Sequence, residues 1–426
     1  MPGHKGCLDL NDITEIKGAD SLYEASGIIL KSERNASKIF GSASTLYSVQ
    51  GSSQCICAML ALASGSMTGA ARPVVLAARN VHRSFINACA LLDMDVKWLF
   101  PEEAVSSLYS CPVNADQVSR AISSMKRKPC AVYITSPDYL GHMQDVRGIA
   151  DAAHKYNIPL LVDNAHGSYL HFLDIPAHPM DLGADICCDS AHKTLPALTG
   201  CAYLHIGKNA PEFFSENARK AMSMFGSTSP SYLLLASLDR TNAILSSEEW
   251  HSGLLQSVNT VLNCKQELSD TGWQISGNEP LKIAINTRLA GYSGSVLADM
   301  LREHCVECEY ADTDHIVFMA SPYNSLSDFE TLMDAMRSIH IISAHSCTNN
   351  IIPCVHPVQA ITIRQAAFAP SETVPIEKAA GRICAHEVIS CPPAVPVIAC
   401  GEVISEEMLP ILRHYGIHDI AVCCMY

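Results

Sequence analysis

Asp189-Ser190-Ala191-His192-Lys193-Thr194-Leu195-Pro196-Ala197-Leu198-Thr199-Gly200 sets a lysine among Ser, His and Thr, directly after the short apolar run Ile186-Cys187-Cys188. Thirty residues before that lysine, Asp163 closes a second apolar run, Ile158-Pro159-Leu160-Leu161-Val162. Short, wholly apolar runs read as strands buried on both faces, and open α/β sheets bind ligands beyond the carboxyl ends of such strands. Asp163 and Lys193 are therefore expected at one edge of a parallel sheet. A lysine there can bond covalently to an aldehyde while Ser190 and its neighbours hold a phosphate. An acid at Asp163 can keep a pyridine nitrogen protonated. These are the requirements of pyridoxal 5'-phosphate chemistry.

Outward from this stretch, short β-rich runs alternate with helical ones between about residues 50 and 245. Strands are expected at 73–77, 96–100, 131–135, 159–162, 186–188 and 201–206, and helices at 53–64, 84–92, 115–125, 147–156 and 232–245. This alternation specifies βα units on a mainly parallel sheet. A long amphipathic segment from 248 to 269 leads to Gly272-Trp273, after which a second α/β pattern follows, with strands at 281–286, 306–310 and 316–320 and helices at 294–304 and 327–339. The division expected is 1–270 for an N-terminal segment and large cofactor-binding domain, and 271–426 for a smaller C-terminal α/β domain. The Pro- and Cys-rich part from 353 to 400 has no clear periodicity and is expected to wrap as an irregular cap.

Apolar content of 48% with 17% charged residues describes a globular chain, and at 426 residues it can bury a large core. No apolar run reaches the roughly 18 residues a membrane span needs, and Met1-Pro2-Gly3-His4-Lys5 has no signal-peptide core, so the expected location is the cytoplasm. A net charge of −14, with no basic block beyond Lys126-Arg127-Lys128, argues against a nucleic-acid partner. The 19 cysteines sit largely in apolar runs and read as buried free thiols. Cys305-Val306-Glu307-Cys308 has no second pair at metal-site spacing, so no metal site is expected.

Gln50-Gly51-Ser52-Ser53-Gln54 opens a helix, and a Gly followed by hydroxyl residues there offers backbone N–H groups, side-chain donors and a positive dipole end to a phosphate. Asn80-Val81-His82-Arg83-Ser84 follows the strand at 73–77; His82 is either a ring-stacking group or the cap of the next helix. His166 and His192 flank the acid and the lysine. Asp138, in Ser136-Pro137-Asp138-Tyr139-Leu140-Gly141, is either a turn former or an extra carboxylate attracting a cationic substrate.

Val162-Asp163-Asn164-Ala165-His166-Gly167, Ser190-Ala191-His192-Lys193-Thr194, Asn80-Val81-His82-Arg83-Ser84 and Ser227-Thr228-Ser229-Pro230-Ser231-Tyr232 stand in an order and spacing that resembles the bacterial ornithine/lysine/arginine decarboxylases of aspartate aminotransferase-like fold, fold type I. The likeness runs from Pro2-Gly3-His4-Lys5-Gly6 to Gly381-Arg382-Ile383 and Cys391-Pro392-Pro393-Ala394-Val395-Pro396, the last in place of the family's Tyr-Pro-Pro-Gly-Ile-Pro. It resembles a short form of the family, without the wing domain of its long members.

The resemblance implies a lyase that decarboxylates arginine, lysine or ornithine to an amine of polyamine biosynthesis. Its implied catalytic residues are Lys193, Asp163, His82 and His192. Its implied pyridoxal phosphate contacts are Gly51, Ser52, Ser53, His82, Asp163, Ala165, His166, Ser190, His192, Lys193 and Thr228. The partners expected are a small basic amino acid and a second copy of the chain, in a homodimer with shared active sites, with neither nucleic acid nor membrane. Other readings are a different fold type I reaction, an aminotransferase with Arg364 or Arg382 as carboxylate clamp or a lyase, and a non-catalytic binding member. Glu377, Glu387 and Glu402 are the acids to consider for the distal charge of the substrate.

Overall fold

Residues 2–5, 7–8, 12–67, 71–103, 105–342, 355–390 and 394–424 are described by the structure, a computed structural model. They form two compact units: Met1–Leu99, Val113–Ser136 and Gln144–Glu248 make the first, and Phe100–Pro112, Pro137–Met143 and Glu249–Tyr426 the second. The division therefore falls at 248/249, ahead of the 270 expected, and two short segments of the first 150 residues fold with the second unit.

The first unit contains α1 (Ile28–Ile39), β1 (Ser44–Ser48), α2 (Gly51–Gly65), β2 (Val74–Ala78), α3 (Arg83–Leu92), β3 (Asp95–Leu99), α4 (Ala115–Ser124), β4 (Ala131–Thr135), α5 (Val146–His154), β5 (Leu160–Asp163), β6 (Ile186–Asp189), α6 (Ala191–Thr194), β7 (Ala202–Ile206), α7 (Glu212–Met224) and α8 (Tyr232–Leu245). Its sheet has the order β1-β7-β6-β5-β4-β2-β3. The run β3, β2, β4, β5, β6 is parallel, and β7 is antiparallel to both of its neighbours. The mainly parallel α/β architecture is the one the alternating pattern specified. β2, β5, β6 and β7 are buried along their whole length, which is why they read as largely apolar runs. Helix starts are set locally: Asn114 and Asp145 accept the N–H groups of Gln117 and Gly148 to cap α4 and α5.

The second unit contains α9 (Glu248–Asp270), β8 (Gln274–Ser276), β9 (Lys282–Asn286), α10 (Gly294–Glu303), β10 (Tyr310–Ala311), β11 (His315–Met319), α11 (Leu326–Ser338), α12 (Ile363–Ala367), β12 (Ser371–Pro375), β13 (Val388–Ser390), β14 (Val395–Ile398), α13 (Met408–His414) and β15 (Asp419–Cys423). β10, β11, β9 and β8 form an antiparallel sheet. The strand expected at 306–310 shrinks to Tyr310–Ala311. Cys305 adopts φ +59° and the Val306 N–H returns to the Leu301 carbonyl, so these residues close α10 in a Schellman turn instead of opening a strand.

The segment expected to be an irregular cap is ordered where it is described. β12 pairs with β15 and β13 with β14, around a core that includes Ile376, Cys384, Ile398, Ile404, Leu412 and Val422. The sixteen described cysteines are free thiols, most of them buried. Among the described residues no helix is long and apolar enough to cross a membrane.

Candidate active site

Asp163 is the last residue of β5 and is buried. In the parallel register it lies beside Cys188 of β6 and Thr135 of β4. Its Oδ1 accepts the Ala165 N–H at 3.2 Å and the Cys188 thiol at 3.6 Å, and its Oδ2 lies 3.4 Å from the Tyr133 hydroxyl. Burial pushes both the thiol and the phenol well above their ordinary values, so each keeps its proton and donates. Sequence alone singles out neither Tyr133 nor Cys188. Their signal is positional: each sits on a strand of the parallel sheet, on the same face as the acid.

One strand over, β6 ends at Asp189, and the turn that follows becomes the single-turn helix α6, which holds Lys193. Lys193 Nζ lies 2.9 Å from His166 Nε2, so the short loop after β5 and the turn after β6 meet at the amine. His82, half-buried before α3, experiences the charges of both Asp163 and Lys193. His82, the pair Asp163 and His166, and Lys193, drawn from three separate stretches of sequence, therefore converge at the carboxyl edge of β2, β5 and β6.

The hydroxyl groups assemble beside them. Ser190 Oγ is 2.8 Å from Ser52 Oγ, and Ser84 Oγ is 2.9 Å from Ser53 Oγ, joining the turn after β6, the start of α2 and the start of α3. Gly51 begins α2 at φ +69°, its N–H bonded to the Gly200 carbonyl at 2.8 Å, and a Cβ built on it would meet nothing within 4 Å. The first turn of α2 thus presents backbone N–H groups and two serines to open space, a fit for a phosphate dianion. Gln54 does not take part. It is buried, holding the Met222 carbonyl and the Tyr23 hydroxyl with its amide nitrogen and accepting from Ser48.

His82 is the N-cap of α3: its Nδ1 accepts the Ser84 N–H at 3.2 Å. Capping uses the ring edge and leaves the ring faces for stacking. Burial holds His82 below its ordinary value, more than the attraction of Asp163 raises it, so the unprotonated Nδ1 that the cap requires is present at pH 7. His82→Ala should lower stability by about 0.5–2 kcal/mol. Because the folded protein favours neutral His82, the contribution is full above roughly pH 6.5 and fades as pH falls below it. Thermal unfolding of both proteins at pH 7.5 and 5.5 checks this, with a smaller gap in Tm expected at the lower pH.

His192 donates through Nδ1 to the Cys201 carbonyl, 3.1 Å away, which ties it to the loop before β7. Ser227, Thr228 and Ser229 form an exposed turn after α7, with the Ser229 N–H on Ser227 Oγ at 3.1 Å. Asp138 is fully buried and accepts both the N–H and the ring of His142, so its carboxylate is used in a turn. In the second unit, Arg382 binds Glu372 and the Cys423 carbonyl, Glu377 pairs with Arg413 at the surface, and buried Glu402 accepts the Ala399 N–H. Cys391, Pro392 and Pro393 lie outside the described residues.

The donors present fit pyridoxal phosphate: Gly51, Ser52, Ser53 and Ser190 can hold its phosphate, Asp163 its ring nitrogen and Lys193 its aldehyde. Comparison with known proteins agrees. The profile of the Orn/Lys/Arg decarboxylase major domain matches residues 8–289, and that of the Orn/Lys/Arg decarboxylase C-terminal domain matches 344–418. The chain is 30% identical over 414 residues to the arginine decarboxylase of Bacillus subtilis strain 168, covering 93% of this chain and 83% of the relative. It is 21% identical over 499 residues to the constitutive lysine decarboxylase of Escherichia coli strain K12, covering 92% and 68%. The crystal structure of the Francisella novicida lysine decarboxylase superposes with a TM-score of 0.81 at 18% identity, over 99% of this chain and 78% of that one. The chain belongs to the Orn/Lys/Arg decarboxylase family and is a pyridoxal-phosphate-dependent decarboxylase of fold type I.

Proposed function

We propose that this enzyme removes the α-carboxylate of arginine, releasing carbon dioxide and the corresponding amine for polyamine synthesis. The observation that carries the reaction is the convergence of Lys193, His166 and Asp163 beside the serine cradle at the start of α2. Arginine is favoured among the basic amino acids because relatives at 28–30% identity are named arginine decarboxylases, against 21% for the lysine decarboxylase.

When bound, pyridoxal phosphate supplies the electron sink for the bond pair left at the substrate α-carbon. Asp163 would keep the ring nitrogen protonated, and its Tyr133 and Cys188 donors hold the carboxylate in place. Lys193 anchors the cofactor between turnovers. Afterwards its Nζ, in reach of His166 Nε2, is the group placed to return a proton to the α-carbon. His192 is the weaker candidate for that step, since its Nδ1 is engaged by Cys201. Arg382, spent on Glu372 and a carbonyl, is not disposed as the carboxylate clamp an aminotransferase would use. The exposed turn at 227–229 is the surface through which a second copy would complete the site, in a cytoplasmic homodimer.

The protein loaded with pyridoxal phosphate and given L-arginine, L-lysine or L-ornithine separately should release carbon dioxide and amine from arginine at a kcat/KM at least about tenfold above the others, a difference of about 1.4 kcal/mol in transition-state binding. A preference for lysine or ornithine would reassign the substrate. Absence of carbon dioxide from all three would remove the reaction.

A further inference from the structure

Asp189 ends β6, three residues before His192 and four before Lys193; it is fully buried, yet none of the roles above uses it. Its carboxylate gathers three partners: Asn164 Nδ2 at 2.6 Å, His178 Nε2 at 3.0 Å and His205 Nε2 at 3.2 Å. The proton positions follow from the outer contacts. His178 Nδ1 lies 3.2 Å from the Met180 N–H, a group that can only donate, so the His178 proton is on Nε2 and points at Asp189. His205 Nδ1 lies 2.8 Å from Thr45 Oγ1, which in turn meets Ser42 Oγ at 2.8 Å. Phe40 packs on the cluster, its centroid 4.6 Å from that of His205 and 5.7 Å from that of His178. Burial alone would raise the Asp189 carboxyl, but the two histidines outweigh it and hold the group well below the usual carboxylate range.

The placement of this cluster gives it a use. Side chains alternate across a strand, so Asp163 and Asn164 leave the end of β5 on opposite faces, as Cys188 and Asp189 leave the end of β6. On one face Cys188 touches Asp163; on the other Asn164 touches Asp189. The acid facing the cofactor and the turn bearing Lys193 are thus tied together from behind.

We propose that Asp189 is a positioning residue for the cofactor site, its buried carboxylate locking the ends of β5 and β6 through Asn164, His178 and His205 so that Asp163 and Lys193 address the same ring. The inference rests on the assignment of Lys193 and Asp163 to pyridoxal phosphate. His178, Asp189 and His205 also have the composition of a metal-binding set, with ligand atoms within 4.8 Å of one another, but the hydrogen bonds above account for those atoms without an ion.

The test uses the full chain loaded with pyridoxal phosphate. Asp189→Asn keeps the volume but replaces one acceptor oxygen by a donor, which opposes a histidine N–H. Expected are an unchanged far-ultraviolet circular dichroism spectrum, borohydride trapping of cofactor still on Lys193, a visible circular dichroism band of bound cofactor reduced by roughly half, and a kcat about ten- to a hundredfold lower with KM little changed. Asn164→Ala, which cuts only the tie to β5, should move the visible band in the same direction, and it carries the test alone if Asp189→Asn does not fold. A lower Tm with visible band and kcat unchanged would mean a purely structural role and overturn the proposal. So would one equivalent of tightly bound metal in the wild-type protein. Trapping on a lysine other than Lys193 in wild-type protein would instead overturn the site assignment on which the inference stands.

Discussion

Lys193→Ala is expected to abolish turnover, leaving a folded chain from which borohydride traps no cofactor. In the wild-type protein, reduction should fix the cofactor on the peptide that contains Ser190-Ala191-His192-Lys193-Thr194, with loss of its visible band. The expectation follows from geometry, because Lys193 Nζ reaches His166 from a turn pinned by Ser190 to the start of α2. Losing the group proposed to carry covalent catalysis would remove an entire step, not a single contact. The same variant tests the shared-site proposal. Mixed with a chain inactivated by Thr228→Asp, it should regain roughly a quarter of wild-type activity, since half the dimers are mixed and each mixed dimer has one site free of both changes. Mixed dimers that form and stay inactive would argue against a site shared between chains, and borohydride label on another lysine would displace Lys193 from its role.

The first unit is legible in the sequence because its chemistry and its fold share one cause. A strand buried on both faces must be apolar until it reaches the sheet edge, so the first charged residue after the run marks the edge where ligands bind. Asp163 and Asp189 both obey that rule. Only the face on which each acid emerges separates the residue proposed to hold the cofactor ring from the one proposed to brace it, and strand phase is fixed by packing that a single sequence does not show. The antiparallel direction of β7 is hidden for the same reason, as its apolar run looks like those of its parallel neighbours. Contacts made by partners distant in sequence, such as Ser190 with Ser52 or His166 with Lys193, become visible only in three dimensions.

Two residues show where motif reading stops short. His82 reads from sequence as a stacking group or a cap, and its Nδ1 does cap α3. Gln54 reads with the phosphate motif because of its place in the helix start, yet it is buried and ties α2 to Ser48 of β1, to Tyr23 and to the Met222 carbonyl of α7. The region from 355 onward is illegible on different grounds. Its strands are three to five residues long, interrupted by Pro375 and Pro396, too short for a period to declare itself. It gains order from pairings between distant segments, such as Glu372 of β12 with Val422 of β15.

Asp163→Asn should bind cofactor and fold normally while losing at least about a thousandfold in kcat, about 4 kcal/mol of transition-state stabilisation. The fold survives because the amide can keep the existing contacts. Its oxygen can still accept the Ala165 N–H and the Cys188 thiol, and its nitrogen, placed toward Tyr133, meets a phenol oxygen able to accept. What is lost is the charge. In a site screened from water a neutral amide cannot hold a ring nitrogen protonated, and a stabilising interaction that matters only as charge develops at the α-carbon appears in kcat more than in KM. Asp163→Glu should not rescue the rate, because the longer side chain carries the carboxylate away from the Ala165 N–H that fixes its orientation. Steady-state kinetics with each variant, alongside cofactor content from absorbance after denaturation, separates loss of binding from loss of chemistry. A fully loaded Asp163→Asn protein turning over at the wild-type rate would remove Asp163 from the mechanism.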